Sequence, residues 1–383
     1  MSLHTPPSHR PLRRAAAVAG VVSAIIAALQ GAPAATAADP PNPPVIKGDS
    51  NVGSSLVGSV DPASFRGCGQ GAGPDFRTQW KRNGEVVYPP DQSGRFPLTL
   101  DDLGAQFTLS VEGNFSCWGQ ELTSAPTAPV GASIRNSGFT GRGTAELMAR
   151  TADGTLLLYP RDTGWEPPQT VGPGWNTMDI ILSPGDFNGD GTNDLLARAG
   201  DGTLYLYPGL GSNRFDAPSA VGWGWNRFDA ILGVGDFSGD GVNDVLAREP
   251  GGDLYLYRGN GAGGWTGQPE RVGTGWNSLS ALTTPGNLDG TPGRDVVGRD
   301  AAGNLWLYSG NGSGGWSGSR VIGQGWGAMK AIGGAGDFNR DGYADIYAVD
   351  GSGILWAYYG DGSGGLGSAE RIGEGWGGFT AIF

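Results

Sequence analysis

A block of about 50 residues is repeated along the C-terminal two thirds of this chain. Its most recognisable part is a loop rich in aspartate and glycine, which reads GDFNGDGTNDLLAR from Gly185, GDFSGDGVNDVLAR from Gly235, GNLDGTPGRDVVGR from Gly286 and GDFNRDGYADIYAV from Gly336. A divergent copy, SGFTGRGTAELMAR, begins at Ser137, and the successive spacings are 48, 50, 51 and 50 residues. An alternating strand, a glycine-rich loop and a segment ending in GWN or GWG follow most copies. A fixed period of this length, holding about four short strands, is typical of β-propeller blades.

The two ends of the repeat region overlap by one strand. The C-terminal FTAIF matches the segment that precedes the other loops, as in FDAILGVGDF, but no loop follows it. The segment VGASIRNSGF supplies the first loop with a strand of its own. We therefore expect an all-β fold with a five-bladed β-propeller over residues 131–383, closed by pairing of the terminal strands.

The repeats resemble the FG-GAP or VCBS family of β-propellers, which includes the integrin α-chain head and secreted bacterial and fungal proteins. Many members of that family have seven blades, whereas this chain has five copies. The unit length and tryptophan spacing also resemble five-bladed animal lectins of the tachylectin type.

The loop spacing predicts calcium sites. Positions 1, 3, 5 and 9 carry oxygen-bearing side chains, position 7 offers a backbone carbonyl, and calcium takes six to eight such oxygens. A ninth-position Asp entering a strand distinguishes this pattern from an EF-hand. The predicted ligands are Asp186, Asn188, Asp190, Thr192 and Asp194; Asp236, Ser238, Asp240, Val242 and Asp244; and Asp337, Asn339, Asp341, Tyr343 and Asp345.

The two other loops have lost ligands. The fourth copy has Asn287, Asp289, Thr291 and Asp295, and the first has Gly138, Thr140, Arg142 and Glu146. The first is expected to bind no metal, and the fourth is left open. Because intact and altered loops occur together, we expect the metals to be structural, with a direct role in ligand binding or catalysis as the alternative.

Tryptophan and arginine also recur. Trp175, Trp225, Trp276, Trp326 and Trp376 are expected to fill the gaps between blades, although stacking on sugar rings is the alternative. A more variable set after the glycine-rich turns predicts ligand contacts at Trp165, Trp265 and Trp316. Arg150, Arg198, Arg248 and Arg299 are expected to pair with acidic turns, with an acidic ligand in the central channel as the alternative.

Residues 45–130 contain short alternating runs, such as FRTQWKRNGEVVY, that predict a β-sandwich. PVIKGDSNVGSSL, QWKRNG and LTLDDLGAQFTLSV resemble the immunoglobulin-like domains of exported actinobacterial proteins. The resemblance implies that Trp80 fills the core and that Asp102 and Gly104 form a turn before a late strand. Cys68 and Cys117 depart from the placement in antibody domains, and we expect a disulfide that joins two loops.

The first 37 residues have the pattern of an export signal: three arginines, an apolar stretch from Ala15 to Leu29, and a small-residue cleavage site. Residues 38–44 form a proline-rich linker. We therefore expect a secreted, unanchored monomer. Removing the signal leaves 22 basic against 37 acidic residues, a formal charge of −15. This charge disfavours nucleic acid and anionic membranes as partners.

Both histidines, His4 and His9, lie in the signal. The mature chain therefore has no Ser-His-Asp triad and no imidazole metal site. These features favour a non-catalytic calcium-binding adhesion protein that recognises carbohydrate or a cell-surface protein. The alternatives are a calcium-assisted polysaccharide lyase and a pure protein-interaction scaffold.

Overall fold

Strands form nearly all the regular structure of the described chain, as the alternating apolar pattern predicts. The computed structural model describes residues 42–48, 50–51, 55–61, 76–88, 95–98, 102, 104–113, 121–130, 138–140, 145–161, 164–291 and 293–383. The export signal, most of the linker and the Cys68–Cys117 disulfide lie outside these residues, so their predictions stay predictions.

The repeats form five antiparallel sheets of four strands each, which we number 1 to 5 along the chain. Sheet 1 contains Leu147–Arg150, Leu156–Tyr159, Gln169–Gly172 and Ala381–Ile382. Sheet 2 contains Met178–Gly185, Asp194–Ala199, Leu204–Tyr207 and Ser219–Gly222. Sheet 3 contains Ala230–Gly235, Asp244–Arg248, Leu254–Tyr257 and Glu270–Gly273. Sheet 4 contains Leu279–Gly286, Asp295–Asp300, Leu305–Gly310 and Trp316–Gly323. Sheet 5 contains Met329–Gly336, Asp345–Asp350, Leu355–Gly360 and Leu366–Gly373.

The C-terminal strand completes the first sheet. Ala381 lies opposite Arg150, and Ile382 lies opposite Ala149, in antiparallel register. The backbone N–H of Met148 donates to the Phe383 carbonyl, and the N–H of Phe383 donates back to Met148, at 2.8 and 2.9 Å. The predicted pairing of the two ends of the repeat region is therefore present in the structure.

The hydrophobic cores lie between successive sheets. One core joins residues of sheets 2 and 3, and others join sheets 3 and 4 and sheets 4 and 5. Two further cores join sheet 5 to sheet 1 and sheet 1 to sheet 2. Each sheet thus buries both faces, as the apolar strand centres require.

A short 3₁₀ helix connects each sheet to the following strand. The five helices are Trp175–Thr177, Trp225–Arg227, Trp276–Ser278, Trp326–Ala328 and Trp376–Gly378. The residue before each helix is a glycine in the left-handed region, such as Gly224 with φ of 74°. A residue with a side chain would be strained there, which accounts for the repeated GW pair.

The N-terminal part of the described chain forms two further sheets. One contains Val45–Lys47, Ser55–Ser59 and Arg95–Pro97. The other contains Phe76–Arg82, Glu85–Val87, Phe107–Gly113 and Glu121–Thr123. Trp80 is buried between them with Leu56, Phe96 and Phe107. The expected core position of Trp80 is therefore observed, and we call residues 45–130 the N-terminal β domain.

None of the helices in the described residues is long and apolar enough to cross a membrane.

Candidate functional site

Carboxylates within the aspartate loops accept hydrogen bonds from the backbone N–H groups of the same loop. In the second repeat, Asp186 Oδ1 accepts hydrogen bonds from the N–H groups of Gly189 and Asp190 at 2.7 and 3.1 Å. Its Oδ2 accepts from Gly191 at 2.9 Å. Asp236 makes the same three contacts in the third repeat. These bonds pair backbone donors that a tight turn would otherwise leave unpaired.

The ninth-position aspartate accepts hydrogen bonds both from its own loop and from the end of a neighbouring strand. Asp194 Oδ2 accepts from the N–H groups of Phe187 and Asn188, at 2.8 and 3.1 Å. Its Oδ1 accepts from Gly209, which follows the next strand, at 2.7 Å. The side chain is fully buried. Three backbone donors thus converge on one carboxylate.

The same contacts recur in repeats with and without the predicted metal ligands. Asp244, Asp295 and Asp345 each accept from two loop N–H groups and from a glycine at the end of the next strand or just beyond it. In the first repeat Glu146 accepts from Phe139 and Thr140. The ninth-position acid therefore anchors the backbone even in the loop predicted to bind no metal.

Burial raises the pKa of these ninth-position carboxylates. Desolvation raises the pKa of Asp194 and of Asp244 to about 7, although backbone hydrogen bonds oppose the shift. Desolvation likewise raises the pKa of Asp345 to about 8. A nearby cation would favour the ionised form of each group.

The chemistry of the donor set fits calcium. Each predicted loop combines carboxylates with an amide or hydroxyl oxygen, the hard ligands that calcium takes. Ser238, at the third position of its loop, is 9% exposed, and its hydroxyl oxygen has no hydrogen-bond partner. However, within the described ranges, no three acidic side chains already converge on one metal position.

The loops also connect successive repeats. A Cβ atom on Gly189 would lie 2.5 Å from the Gly261 carbonyl oxygen, and the equivalent distance from Gly239 to Gly312 is 2.1 Å. The N–H of Gly263 donates to the Phe187 carbonyl at 3.1 Å. The fourth-position glycines of the second and third loops therefore allow these loops to contact the glycine-rich loop of the following repeat.

The five periodic tryptophans lie between sheets, as expected. Each is between 4% and 9% exposed. Trp225 packs against Tyr257 of sheet 3 and against Trp265 in the loop that follows that strand, at ring-centroid distances of 4.5 and 5.3 Å. A Cβ atom on Gly222 would lie 2.1 Å from the Trp225 Nε1 atom, so this glycine makes room for the indole.

The side chains of Trp165, Trp265 and Trp316 are half-buried, which differs from their predicted role as ligand contacts. Their indole Nε1 groups donate to the carbonyls of Ile372, Val221 and Val272, at 2.5, 2.8 and 2.9 Å. Their rings pack on Trp376, Trp225 and Trp276, respectively. These side chains join one sheet to the preceding one, which leaves them little surface for a ligand.

The repeated arginines link strands and 3₁₀ helices. The Nη1 group of Arg198 donates to the carbonyls of Trp225 and Phe228, at 2.9 and 2.6 Å, and its Nε donates to Asp179 at 2.8 Å. Arg248 pairs with Asp229 in the same way, whereas Arg150 and Arg299 contact Thr380 and Ser280. The expected acidic partners are thus present for two of the four arginines.

Trp223 is an exposed aromatic residue that the sequence analysis missed. The Trp223 side chain is 76% exposed, and among the large hydrophobic side chains of the described residues only that of Tyr88 is more exposed. The equivalent positions in the other repeats are Pro173, Thr274, Gln324 and Glu374. This variation before the repeated GW pair is the signal that could have identified Trp223, because a position needed for packing would not vary so widely.

Residues 186–247 match the model of the FG-GAP-like repeat family. The search of curated proteins found no matching sequence.

Several solved structures are similar over most of the chain. One is a lectin of Agrocybe aegerita described as recognising non-reducing terminal N-acetylglucosamine, with 20% identity, coverage of 73% of this chain and 81% of that chain, and a TM-score of 0.39. Another is the BP39L lectin of Burkholderia pseudomallei, with 19% identity, coverage of 71% and 82%, and a TM-score of 0.38. The Dos1 propeller has 10% identity, coverage of 70% and 69%, and a TM-score of 0.32. The family match, together with the repeated four-stranded sheets, supports an FG-GAP β-propeller.

Proposed function

We propose that this chain is a secreted, non-catalytic binding protein that recognises carbohydrate. Its scaffold is a five-bladed propeller preceded by an immunoglobulin-like sandwich. Support for five blades comes from the five sheets, from the cores between successive sheets and from the C-terminal strand in sheet 1. Support for the sandwich comes from two sheets that enclose Trp80.

Trp223 is the observation that carries the binding proposal. An indole exposed to 76% contributes little to the core and costs free energy in water. Its flat face is suited to stacking on the apolar face of a sugar ring. The adjacent Gly224 has no side chain that would block a ligand from approaching. The inter-sheet tryptophans, by contrast, are already engaged with the neighbouring sheets.

Replacing Trp223 with alanine is expected to reduce glycan binding about tenfold or more, since exposed aromatic anchors dominate many interfaces. The measurement is a glycan array with the mature chain in calcium, followed by titration of the best ligand. Gln324→Ala, at the equivalent position of the fourth repeat, is the matched control. Undiminished binding by Trp223→Ala would contradict this site, and absence of binding to any glycan would contradict the carbohydrate proposal.

We further propose that the second, third and fifth loops hold calcium as a structural ion. Bound calcium would supply two positive charges against the buried carboxylates of each loop. The residues that would hold it in the second loop are Asp186, Asn188, Asp190 and Asp194, with the Thr192 carbonyl. The support is the oxygen-rich donor set, together with the unpartnered Ser238 hydroxyl in the third loop.

Removal of calcium is expected to lower the melting temperature. A ligand at 100 times its Kd stabilises the folded state by about 2.7 kcal/mol per site. For residues 131–383, whose unfolding entropy is about 2.1 cal/mol/K per residue, that corresponds to roughly 5 °C per site. The measurement is thermal unfolding of the mature chain with calcium and with chelator. The double variant Asp186→Asn and Asp190→Asn should lose the part of the calcium-dependent rise in melting temperature that one site contributes. Identical melting curves in both conditions would contradict structural calcium.

A further inference from the structure

The junction between the fifth and first repeats differs from the other four junctions on the side of the aspartate loops. At those four, the glycine-rich loop of one repeat donates a backbone N–H to the second-position carbonyl of the preceding aspartate loop. The donor and acceptor pairs are Asn213 and Phe139, Gly263 and Phe187, Gly314 and Phe237, and Gly364 and Leu288, at 3.2, 3.1, 2.8 and 2.9 Å. Four junctions thus share one backbone contact.

The glycine-rich loop of the first repeat is two residues shorter than its counterparts. Arg161 pairs with Trp165 in an antiparallel bridge at the base of this loop, so three residues lie between the partners. Five residues lie between the partners of every equivalent pair, which are Gly209 and Phe215, Gly259 and Trp265, Gly310 and Trp316, and Gly360 and Leu366. The first repeat therefore has less loop with which to reach the preceding repeat.

Arg161 lies at a position that is glycine in the other four repeats. A Cβ atom on Gly209, Gly259, Gly310 or Gly360 would lie 2.2 Å from a carbonyl oxygen of the same repeat. A side chain at this position therefore requires a different backbone path, which the shortened loop of the first repeat allows.

The Arg161 side chain makes the contact with the fifth aspartate loop. Its Nη1 group donates to the carbonyl of Phe338, which is the second-position residue of that loop. Its guanidinium carbon lies 5.3 Å from the centroid of the Phe338 ring and 5.9 Å from that of the Trp165 ring. A guanidinium within about 6 Å of an aromatic ring is attracted to the ring face. Arg161 thus contacts both the backbone and the ring of Phe338.

The fifth aspartate loop carries a matching change at its fourth position. This residue is Arg340, with φ of 62°, whereas the second, third and fourth loops have glycine there. In the fourth loop, a Cβ atom on Gly290 would lie 2.6 Å from the carbonyl oxygen of Gly362 in the following repeat. A side chain at this position therefore needs a shorter loop in the following repeat, and only the first repeat supplies one.

We propose that Arg161 is a latch that holds the fifth and first repeats together on the side of the aspartate loops. The latch consists of the Arg161 guanidinium and its contacts with Phe338 and Trp165. It replaces the backbone contact of the other junctions, and the shortened loop makes room for Arg340. Because the contact depends on one side chain, local opening of the ring begins at this junction. The latch requires neither calcium nor a glycan.

Hydrogen exchange with mass spectrometry on the full mature chain tests the latch. In Arg161→Ala, peptides covering residues 156–161 and 338–345 should exchange about tenfold faster or more, because hydrogen bonds from charged donors are stronger than neutral ones. Peptides covering 187–194 and 237–244 should exchange at the original rate. Arg214→Ala, at an exposed arginine of the second repeat's glycine-rich loop, is the matched control and should change none of these rates. Unchanged exchange at 338–345 in Arg161→Ala would overturn the latch.

A loop exchange provides a second test, which applies even if Arg161→Ala does not fold. Residues 161–164 are replaced by GNGAGG, the sequence of residues 259–264 in the third repeat. This exchange should lower the melting temperature by several degrees while Arg340 is present, because the longer loop occupies the space of its side chain. Addition of Arg340→Gly should restore most of the loss, since the backbone contact can then form without Arg161. A loss that is equal with Arg340 and with Arg340→Gly would overturn the proposed relation between the shortened loop and Arg340.

Discussion

Asp295→Ala is expected to destabilise the protein by about 4 kcal/mol, although Asp295 lies in a loop that has lost two acidic ligands. Asp295 Oδ2 accepts from the N–H groups of Leu288 and Asp289, and its Oδ1 accepts from Gly310. Alanine would leave these three donors without their acceptor in a buried region. Each buried unpaired donor costs about 1–3 kcal/mol. The melting temperature should fall by roughly 8 °C, measured by thermal unfolding.

The effect of Asp295→Ala should be equal in calcium and in chelator, because the backbone contacts themselves need no metal. Asp194→Ala should cost as much in chelator and more in calcium, since that loop would also lose its cation. Asp216→Ala, at an exposed aspartate whose side chain accepts only from the adjacent Ala217 N–H, is the control and should change the melting temperature little. A stable Asp295→Ala variant would contradict the anchoring role.

The backbone contacts of the ninth position could not be predicted from the sequence, although the residues themselves were singled out by their spacing. Spacing shows that Asp194 recurs with a loop, and calcium is one reason for such recurrence. Only the structure shows that three backbone N–H groups surround the carboxylate. Glu146 in the first repeat has the longer side chain yet contacts the equivalent loop donors. An acidic residue is therefore present at the ninth position even in the loops that lack some of the predicted calcium ligands.

The strands were more predictable than the binding surface. Apolar alternation around LYLY specifies strands whose two faces are buried, and the overlap of FTAIF with the first repeat specifies the pairing of Ala381 with Arg150. Aromatic character does not specify exposure. Trp265 follows a glycine-rich turn but packs on Trp225, whereas Trp223 lies two residues before a buried tryptophan and is exposed. The direction of each side chain depends on contacts between repeats.

Deletion of residues 380–383 is expected to have the other large effect. The deletion removes the hydrogen bonds from Thr380 N–H to the Arg150 carbonyl and between Met148 and Phe383. It also removes the Phe383 ring, 7% exposed, from the core between sheets 1 and 2. Loss of a buried phenylalanine ring alone costs about 3–5 kcal/mol. The melting temperature should therefore fall by roughly 6–9 °C from the loss of the ring alone, and further with the loss of the strand.

Hydrogen exchange should locate the damage in the deletion variant. Amides of Leu147–Arg150 should lose protection first, because this strand would become the edge of sheet 1. Thr380→Ala is the control, since it removes only the two hydrogen bonds of the Thr380 hydroxyl with the Arg150 Nε and carbonyl and leaves the strand in place. A deletion variant that melts at the original temperature would mean that each sheet is stabilised by its immediate neighbours alone, as in an open repeat array. A large fall in melting temperature would instead mean that the C-terminal strand couples sheet 5 to sheet 1. Loss of this one strand would then weaken the cores between all five sheets.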